Sequence, residues 1–285
     1  MHWELKEKLN YQKDCTDALC FISGEKSGKL LSVAPHWHDE LEIVLCGVSG
    51  DLLFEGRHIF YDSGDIICIP GGAVHSYTSN EKGCYRVILI NPQHLYNIGG
   101  SLADNIAEKL FTGKICLPPL LAKKSEGYDE LLQCLKKIVY SYETNNVLRI
   151  RAAIFTLLSV LYEQSSGKRE VNDGYLLIRS AMDFMLSKLS EKITVDQIAK
   201  ALSVSKYHFI RLFEKYCGMS PISWLIRLRL EKSLIFLQQG ESVTTAAFAC
   251  GFNNLSYYIR KFKEFYGSTP KSVTPSKSKE IPKMI

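Results

Sequence analysis

The sequence predicts an α+β protein. An N-terminal antiparallel β-barrel is followed by a helical hairpin, and then by an all-α domain containing two helix-turn-helix units. Three observations carry this prediction: a run of short strands between Leu31 and Ile90, a change to helical periodicity after Pro118-Pro119, and an internal repeat in the last third of the chain.

The strands come first. LEIVLC (41–46), DLLFEG (51–56), HIFY (58–61), DIICIP (65–70) and YRVILI (85–90) are β-branched or aromatic runs separated by Gly, Ser, Asp or Asn. Strands spaced this closely, with no helix between them, belong to an antiparallel sandwich or barrel. Beyond Pro119 the pattern changes. Leu131, Leu132, Leu135, Ile138, Val139 and Tyr142 fall at helical spacing, as do Leu148, Ala152, Phe155, Leu158 and Leu161. The polar stretch SSGKREVNDG (165–174) has two glycines and no periodicity, and reads as a linker. The chain is then helical to about Lys263, and SKSKEIPKMI reads as a frayed tail. The expected divisions are 1–120, 121–166, a linker at 167–174, 175–275, and a tail at 276–285.

Within 175–275 the chain repeats itself. Phe209, Arg211, Phe213, Gly218 and Pro221 recur 49 residues later as Tyr258, Arg260, Phe262, Gly267 and Pro270. Ala199 recurs as Ala247 at a spacing of 48, so the second copy carries one extra residue in its turn. Each copy reads as a short helix, a tight turn and a second helix, the units lying near 195–217 and 243–266. Thr194 and Gln197 form a capping box for VDQIAKAL. Ser205 caps the helix that ends at Gly218, Asn254 caps the one that ends at Gly267, and Thr244 or Ser242 starts the second unit. Charge on the exposed faces of the two second helices is nearly all positive: Lys206, His208, Arg211 and Lys215 in one, Arg260, Lys261 and Lys263 in the other.

Composition narrows the function. At 46% hydrophobic and 23% charged residues the chain is an ordinary folded protein, not a disordered or fibrous one. No apolar run approaches the roughly 18–20 residues of a membrane helix, and MHWELKEKLN lacks the apolar stretch of a signal peptide. Nine cysteines without a C-x-x-C pair point to reduced thiols in a cytoplasmic protein, and Cys46, Cys68 and Cys84 read as buried and inert. Net charge is uneven. Residues 175–285 hold 17 Lys+Arg against 8 Asp+Glu, a net of +9, while 1–174 hold 18 against 22, a net of −4. A basic third beside an acidic remainder suggests that one part meets a polyanion. GEKSGK (24–29) lacks the spacing of a phosphate loop and reads as a turn. Neither that motif nor a Ser/His/Asp arrangement marks an enzyme.

The basic third has a recognisable pattern: I-A at 198–199, S-x3-F-x-R-L-F at 205–213, G-x-S-P at 218–221, R-L-R-L-E at 227–231, G-F at 251–252, R-x-F-K at 260–263 and G-x-T-P at 267–270. Residues 175–275 resemble the DNA-binding domain of the AraC/XylS family of bacterial transcription regulators. One departure is Val273-Thr274, where the family usually has an aromatic residue and an arginine. The resemblance implies that Tyr207, His208, Ile210 and Arg211 face DNA from the first unit, and Leu255, Ser256, Tyr257, Arg260 and Lys261 from the second. A packing role for the tyrosines is the alternative. Pro221–Gln238, about 27 Å of helix at 1.5 Å per residue, approaches the roughly 34 Å between successive major grooves on one face of the duplex.

His36, His38, Glu42 and His75 form a second constellation. H-x-H-x3-E puts His36, His38 and Glu42 at positions of equal parity along one strand, hence on one face of the sheet. Gly64-x5-Pro70-x-Gly72-x2-His75 brings a further histidine across. Together these resemble the two signature motifs of the cupin barrel, a sensor domain found in many AraC-type regulators. Three roles stay open: ligands of one divalent ion such as Fe(II), Mn, Ni or Zn; the wall of an organic effector pocket with Trp37, Tyr77 and Arg86 at its rim; or structural histidines.

These readings describe a cytoplasmic, ligand-responsive regulator that binds double-stranded DNA, an activator of a carbohydrate or small-molecule utilisation operon. It acts as a homodimer with RNA polymerase as a partner, and has no catalytic or membrane role. A sugar is the effector that the domain arrangement implies. Leu131, Leu135, Ile138, Phe155 and Leu158 serve either as a dimer face, as family practice implies, or as packing against the barrel of the same chain. The alternatives are a repressing or ligand-independent regulator with the barrel as a scaffold, and a cupin metalloenzyme fused to a helix-turn-helix domain.

Overall fold

The computed structural model describes residues 18–23, 31–91, 102–168 and 173–274. The turn expected at 24–29 and the tail at 276–285 lie outside the described residues.

Short β-branched runs produce eight strands in succession: β1 (Ala18–Ser23), β2 (Leu31–Ser32), β3 (Leu41–Cys46), β4 (Gly50–Phe54), β5 (Arg57–Tyr61), β6 (Ile66–Ile69), β7 (His75–Ser79) and β8 (Tyr85–Ile90). Helix α1 (Leu102–Phe111), β9 (Ile115–Cys116) and β10 (Leu120–Leu121) follow, then α2 (Tyr128–Glu143), α3 (Val147–Glu163) and β11 (Ser166–Lys168). Among the described residues all strand pairings are antiparallel, in one sheet ordered β1-β8-β3-β6-β10, another ordered β2-β7-β4-β5, and a two-stranded one of β9 and β11.

Register divides the five-stranded sheet into two faces. Glu42 lies opposite Leu89 and Ile69, and Cys46 opposite Tyr85; these side chains point towards the second sheet. Leu41, Ile43 and Leu45 pair with Ile90, Ile88 and Arg86, and point the other way. On that outer face Leu41, Ile43, Ile66, Cys68, Ile88 and Ile90 share one core with α2 and α3. Leu131, Leu135, Ile138 and Leu158 are buried there, with Phe155 packed against it, so the face considered for dimerisation is used within the chain. The buried residues of α3 are Ile150, Ala153, Ile154, Leu157, Leu158, Val160 and Leu161, whereas Leu148 and Ala152, read as part of that face, are exposed, Leu148 by 79%. VLRIRAAIFTLLSVLYE is apolar almost all round, which leaves its phase undetermined by periodicity. Arg86 is corrected for the same reason of parity: it stands on the helix side of the sheet, away from Glu42.

The polar stretch at 165–174 is structured at both ends. Ser166–Lys168 pairs with β9, and α4 (Asp173–Ser187) begins inside it. The chain divides into two compact units, and the division falls within α4 between Arg179 and Ser180.

The second unit contains α5 (Val195–Ala201), α6 (Lys206–Cys217) as far as Glu214, α7 (Pro221–Gln238), α8 (Val243–Ala249), α9 (Leu255–Tyr266) and a 3-10 turn at Pro270–Val273. Its caps follow the sequence: Thr194 and Gln197 form a capping box, Ser205 accepts from the His208 amide, Ser242 from Thr245, and Asn254 from Tyr257. The two turns are built alike. Val204 N–H donates to Ala199 and Phe252 N–H to Ala247. Ser203 (φ 56°) and Gly251 (φ 82°) take the left-handed position in each. The extra residue of the second copy is Asn253, between that turn and the cap. Among the described residues no helix is long and apolar enough to cross a membrane.

Gly251 also lies against a partly buried contact. Arg229 donates to the carbonyls of Leu189 and Glu191, and a Cβ on Gly251 would lie 2.7 Å from the Leu189 oxygen. Gly251→Ala is therefore expected to destabilise the second unit by roughly 2 kcal/mol or more, from the left-handed backbone and the clash together. Urea denaturation followed by helical circular dichroism checks this.

Candidate functional site

Two sites emerge, one in each unit. In the first, the histidines do not share a strand with Glu42: His36 and His38 precede β3. His36 forms an isolated bridge to His75, each amide donating to the other's carbonyl at 3.0 and 2.9 Å. The loop keeps extended alternation, so the expected convergence holds although the strand does not. Gly72 (φ 80°) donates its amide to the His38 carbonyl and turns the chain into β7, which carries His75 and Tyr77.

All four side chains are buried, and one ligand atom from each lies within 4.8 Å of the others. Glu42 Oε2 is 2.7 Å from His38 Nε2 and 3.1 Å from His75 Nε2. Tyr77 donates its hydroxyl to Glu42 Oε1 at 3.0 Å. The Nδ1 atoms have separate partners: His36 faces the Ala34 carbonyl at 2.8 Å, His38 that of Glu40 at 3.1 Å, and His75 that of Ala73 at 2.8 Å. A carbonyl only accepts, so each Nδ1 carries the hydrogen and each Nε2 is left to face its surroundings. A ring lone pair cannot rest against a carboxylate oxygen. The two short contacts thus call for positive charge between them, a proton on the ring or a metal ion.

Burial lowers the pKa of His38, and the hydrogen bond and charge of Glu42, with Glu40, more than offset it, so the net direction is upward. Burial raises the Glu42 carboxyl, but hydrogen bonds from His38 and His75 outweigh this and hold it well below its ordinary range. Burial and the charge of Glu42 push the Tyr77 phenol up. Imidazole and carboxylate donors with anchored second nitrogens suit a borderline divalent ion.

Sequence reading missed how far this polar layer extends. Tyr77 packs edge-on against Tyr85 at 4.8 Å, and the Tyr85 and Tyr61 hydroxyls are 2.5 Å apart. The available signal was the parity of Tyr85, which is level with Cys46 on the face shared by Glu42. Cys46 and Cys68 are buried and Cys84 is half-buried; burial pushes the Cys68 thiol up to about 12.

In the second unit, α6 and α9 expose cationic faces. Tyr207 is 85% exposed, and His208 and Arg211 are exposed beside it, while Ile210 is half-buried. On α9, Ser256 and Arg260 are exposed. Leu255 and Tyr257 are half-buried against the core, and Lys261 bonds Glu264 at 2.7 Å. The Arg260 guanidinium lies 5.5 Å from the Tyr257 ring centre. On α7, Arg227 pairs with Glu231 and Arg229 ties down the loop at 189–191, so the arginines of R-L-R-L-E have structural partners.

A helix-turn-helix domain model matches residues 198–274. The transcriptional regulator YdeC of Bacillus subtilis strain 168 is 26% identical over 253 residues, covering 83% of this chain and 84% of that protein. The transcriptional activator RhaS of Pectobacterium carotovorum is 25% identical over 252 residues, covering 84% and 86%. On these matches, this chain is a regulator of transcription that carries an AraC-type helix-turn-helix domain. It is a DNA-binding protein and not an enzyme. The crystal structure of apo ToxT from Vibrio cholerae has the same fold as this regulator, with a TM-score of 0.52 at 16% identity over 91% of this chain and 97% of that one.

Removing Glu42 would leave two imidazoles and a phenol buried without their common partner. Glu42→Ala is expected to cost about 3–5 kcal/mol, and Tyr77→Phe about 1 kcal/mol, in denaturant unfolding followed by the strand signal. Equal, small losses would show that the carboxylate does not organise the site.

Proposed function

We propose that this regulator is an effector-responsive activator that acts in the cytoplasm. In this reading α6 and α9 enter successive major grooves, with Arg211 and Arg260 reading bases. The observation that carries it is the equivalence of those two arginines. They stand 49 residues apart, at matching positions of two helix-turn-helix units, both exposed on helices whose other faces are buried. A guanidinium bonds guanine O6 and N7 in bidentate fashion. Tyr207, His208 and Ser256 extend the same surface, Ile210 offers only apolar contact, and Lys261 faces the backbone. Leu255 and Tyr257 chiefly set the helix against its core. Relatives named as transcriptional activators support the sign of regulation. A small-molecule effector (a sugar in the simplest case), a homodimer and RNA polymerase complete the reading.

In the first unit His36, His38, Glu42 and His75 would hold a divalent ion, and Tyr77 orients the Glu42 carboxylate. When bound, such an ion supplies Lewis-acid positions to which an effector's oxygen can coordinate. The chain's own part is to fix the ring tautomers through Ala34, Glu40 and Ala73 and to exclude water by burial.

Two measurements test these readings. Binding sites selected from random DNA should be bound by Arg211→Ala with a loss of about 1–3 kcal/mol and relaxed preference at one base pair, and likewise by Arg260→Ala at a second. Equal losses on selected and random DNA would reduce both arginines to phosphate contacts. Elemental analysis should find about one ion per chain. At an ion concentration 100 times the dissociation constant, chelation should remove about 2.7 kcal/mol of stability. Absence of metal together with an unchanged melting point would leave the cluster a hydrogen-bonding one.

A further inference from the structure

The outer face of the five-stranded sheet carries a cleft that the regulatory reading does not use. It measures about 270 Å³, just below the roughly 300–1,000 Å³ of small-molecule sites. Ile43 and Leu45 of β3, Ile88 of β8, and Leu132, Leu135 and Val139 of α2 make its apolar lining. Arg86, Lys136, Tyr140 and Glu143 supply its polar groups. The helical residues fall at 132, 135, 136, 139, 140 and 143, a single stripe along α2. Arg86 and Lys136 are exposed, and neither has an ion-pair partner among the described residues. The cleft lies on the opposite side of the sheet from Glu42, because Ile43 and Leu45 alternate with it along β3.

We propose that this cleft binds a small amphipathic carboxylate, its apolar tail against Ile43, Ile88 and Val139 and its carboxylate on Arg86 and Lys136. Two cations against the single acid Glu143 give the lining a net positive charge. A guanidinium beside an apolar floor suits an anion whose remainder is apolar and can cover that floor. The site is separate from the histidine cluster, so its occupancy is independent of any metal there.

The test is calorimetric titration of the full-length protein with sodium decanoate, decanol and decyltrimethylammonium. Decanoate is expected to bind at one site per chain, and decanol about tenfold more weakly, for loss of charge-assisted hydrogen bonds. Arg86→Gln/Lys136→Gln, both exposed positions, should weaken decanoate about tenfold without changing decanol. Glu143→Gln should tighten decanoate, and Val139→Trp should abolish both by filling the cleft. EDTA should change none of these values. Equal affinity for all three probes, an unchanged double variant, no binding heat, or concentration-dependent self-association that closes the cleft would each overturn the proposal.

Discussion

A single carboxylate, Glu42, couples the two sheets of the N-terminal unit. It stands on β3 of one sheet and receives His75 and Tyr77 from β7 of the other, with His38 from the loop that leads into β3. A charge buried this far from water is tolerable only when several donors meet it. That requirement fixes which residues of β3 face inward. Alternation then sends Ile43 and Leu45 outward, where α2 and α3 cover most of the sheet. A register slip of one residue would put the carboxylate under the helices and isoleucine between the sheets, so polar satisfaction and hydrophobic burial enforce the same pairing.

The second unit distributes its basic residues between two tasks. Arg229 lies partly buried with its guanidinium on backbone carbonyls, and burial lowers its pKa. Arg227 is held by Glu231. Arg211 and Arg260 are instead exposed on the outer faces of α6 and α9. Aromatic cores back those faces: Phe209, Phe213 and Trp224 pack edge-to-face behind α6, and Tyr258 and Phe262 behind α9. Net positive charge alone would not have separated the two groups.

Much of this was legible in the sequence where local chemistry decides. The capping residues Thr194, Ser205 and Asn254, the left-handed Gly267 and the repeat all follow from short-range rules, and the structure places each where those rules put it. The histidine convergence was legible through parity, although His36 and His38 lie in a loop, because an extended chain alternates with or without a ladder partner. What escaped depends on the third dimension. Arg86 belongs to the outer face through pairing with Leu45, the phase of α3 is hidden by its all-round apolar surface, and the buried role of Leu131, Leu135, Ile138 and Leu158 appears only once the sheet is beneath them.

The duplicated turns differ in the side chains they present. Ser203 and Gly251 occupy equivalent positions, but Asn253 adds a residue before α9, and Tyr207 and His208 are matched by Ser256 and Tyr257. The two helix-turn-helix repeats are thus built alike yet present different side chains around their equivalent arginines. In the proposed reading, a sequence read by one such chain would have no palindromic symmetry; it would have a beginning and an end. In that reading such a protein would sit on the duplex with a fixed polarity, its first helix-turn-helix pointing towards, or away from, whatever gene lies beside the site.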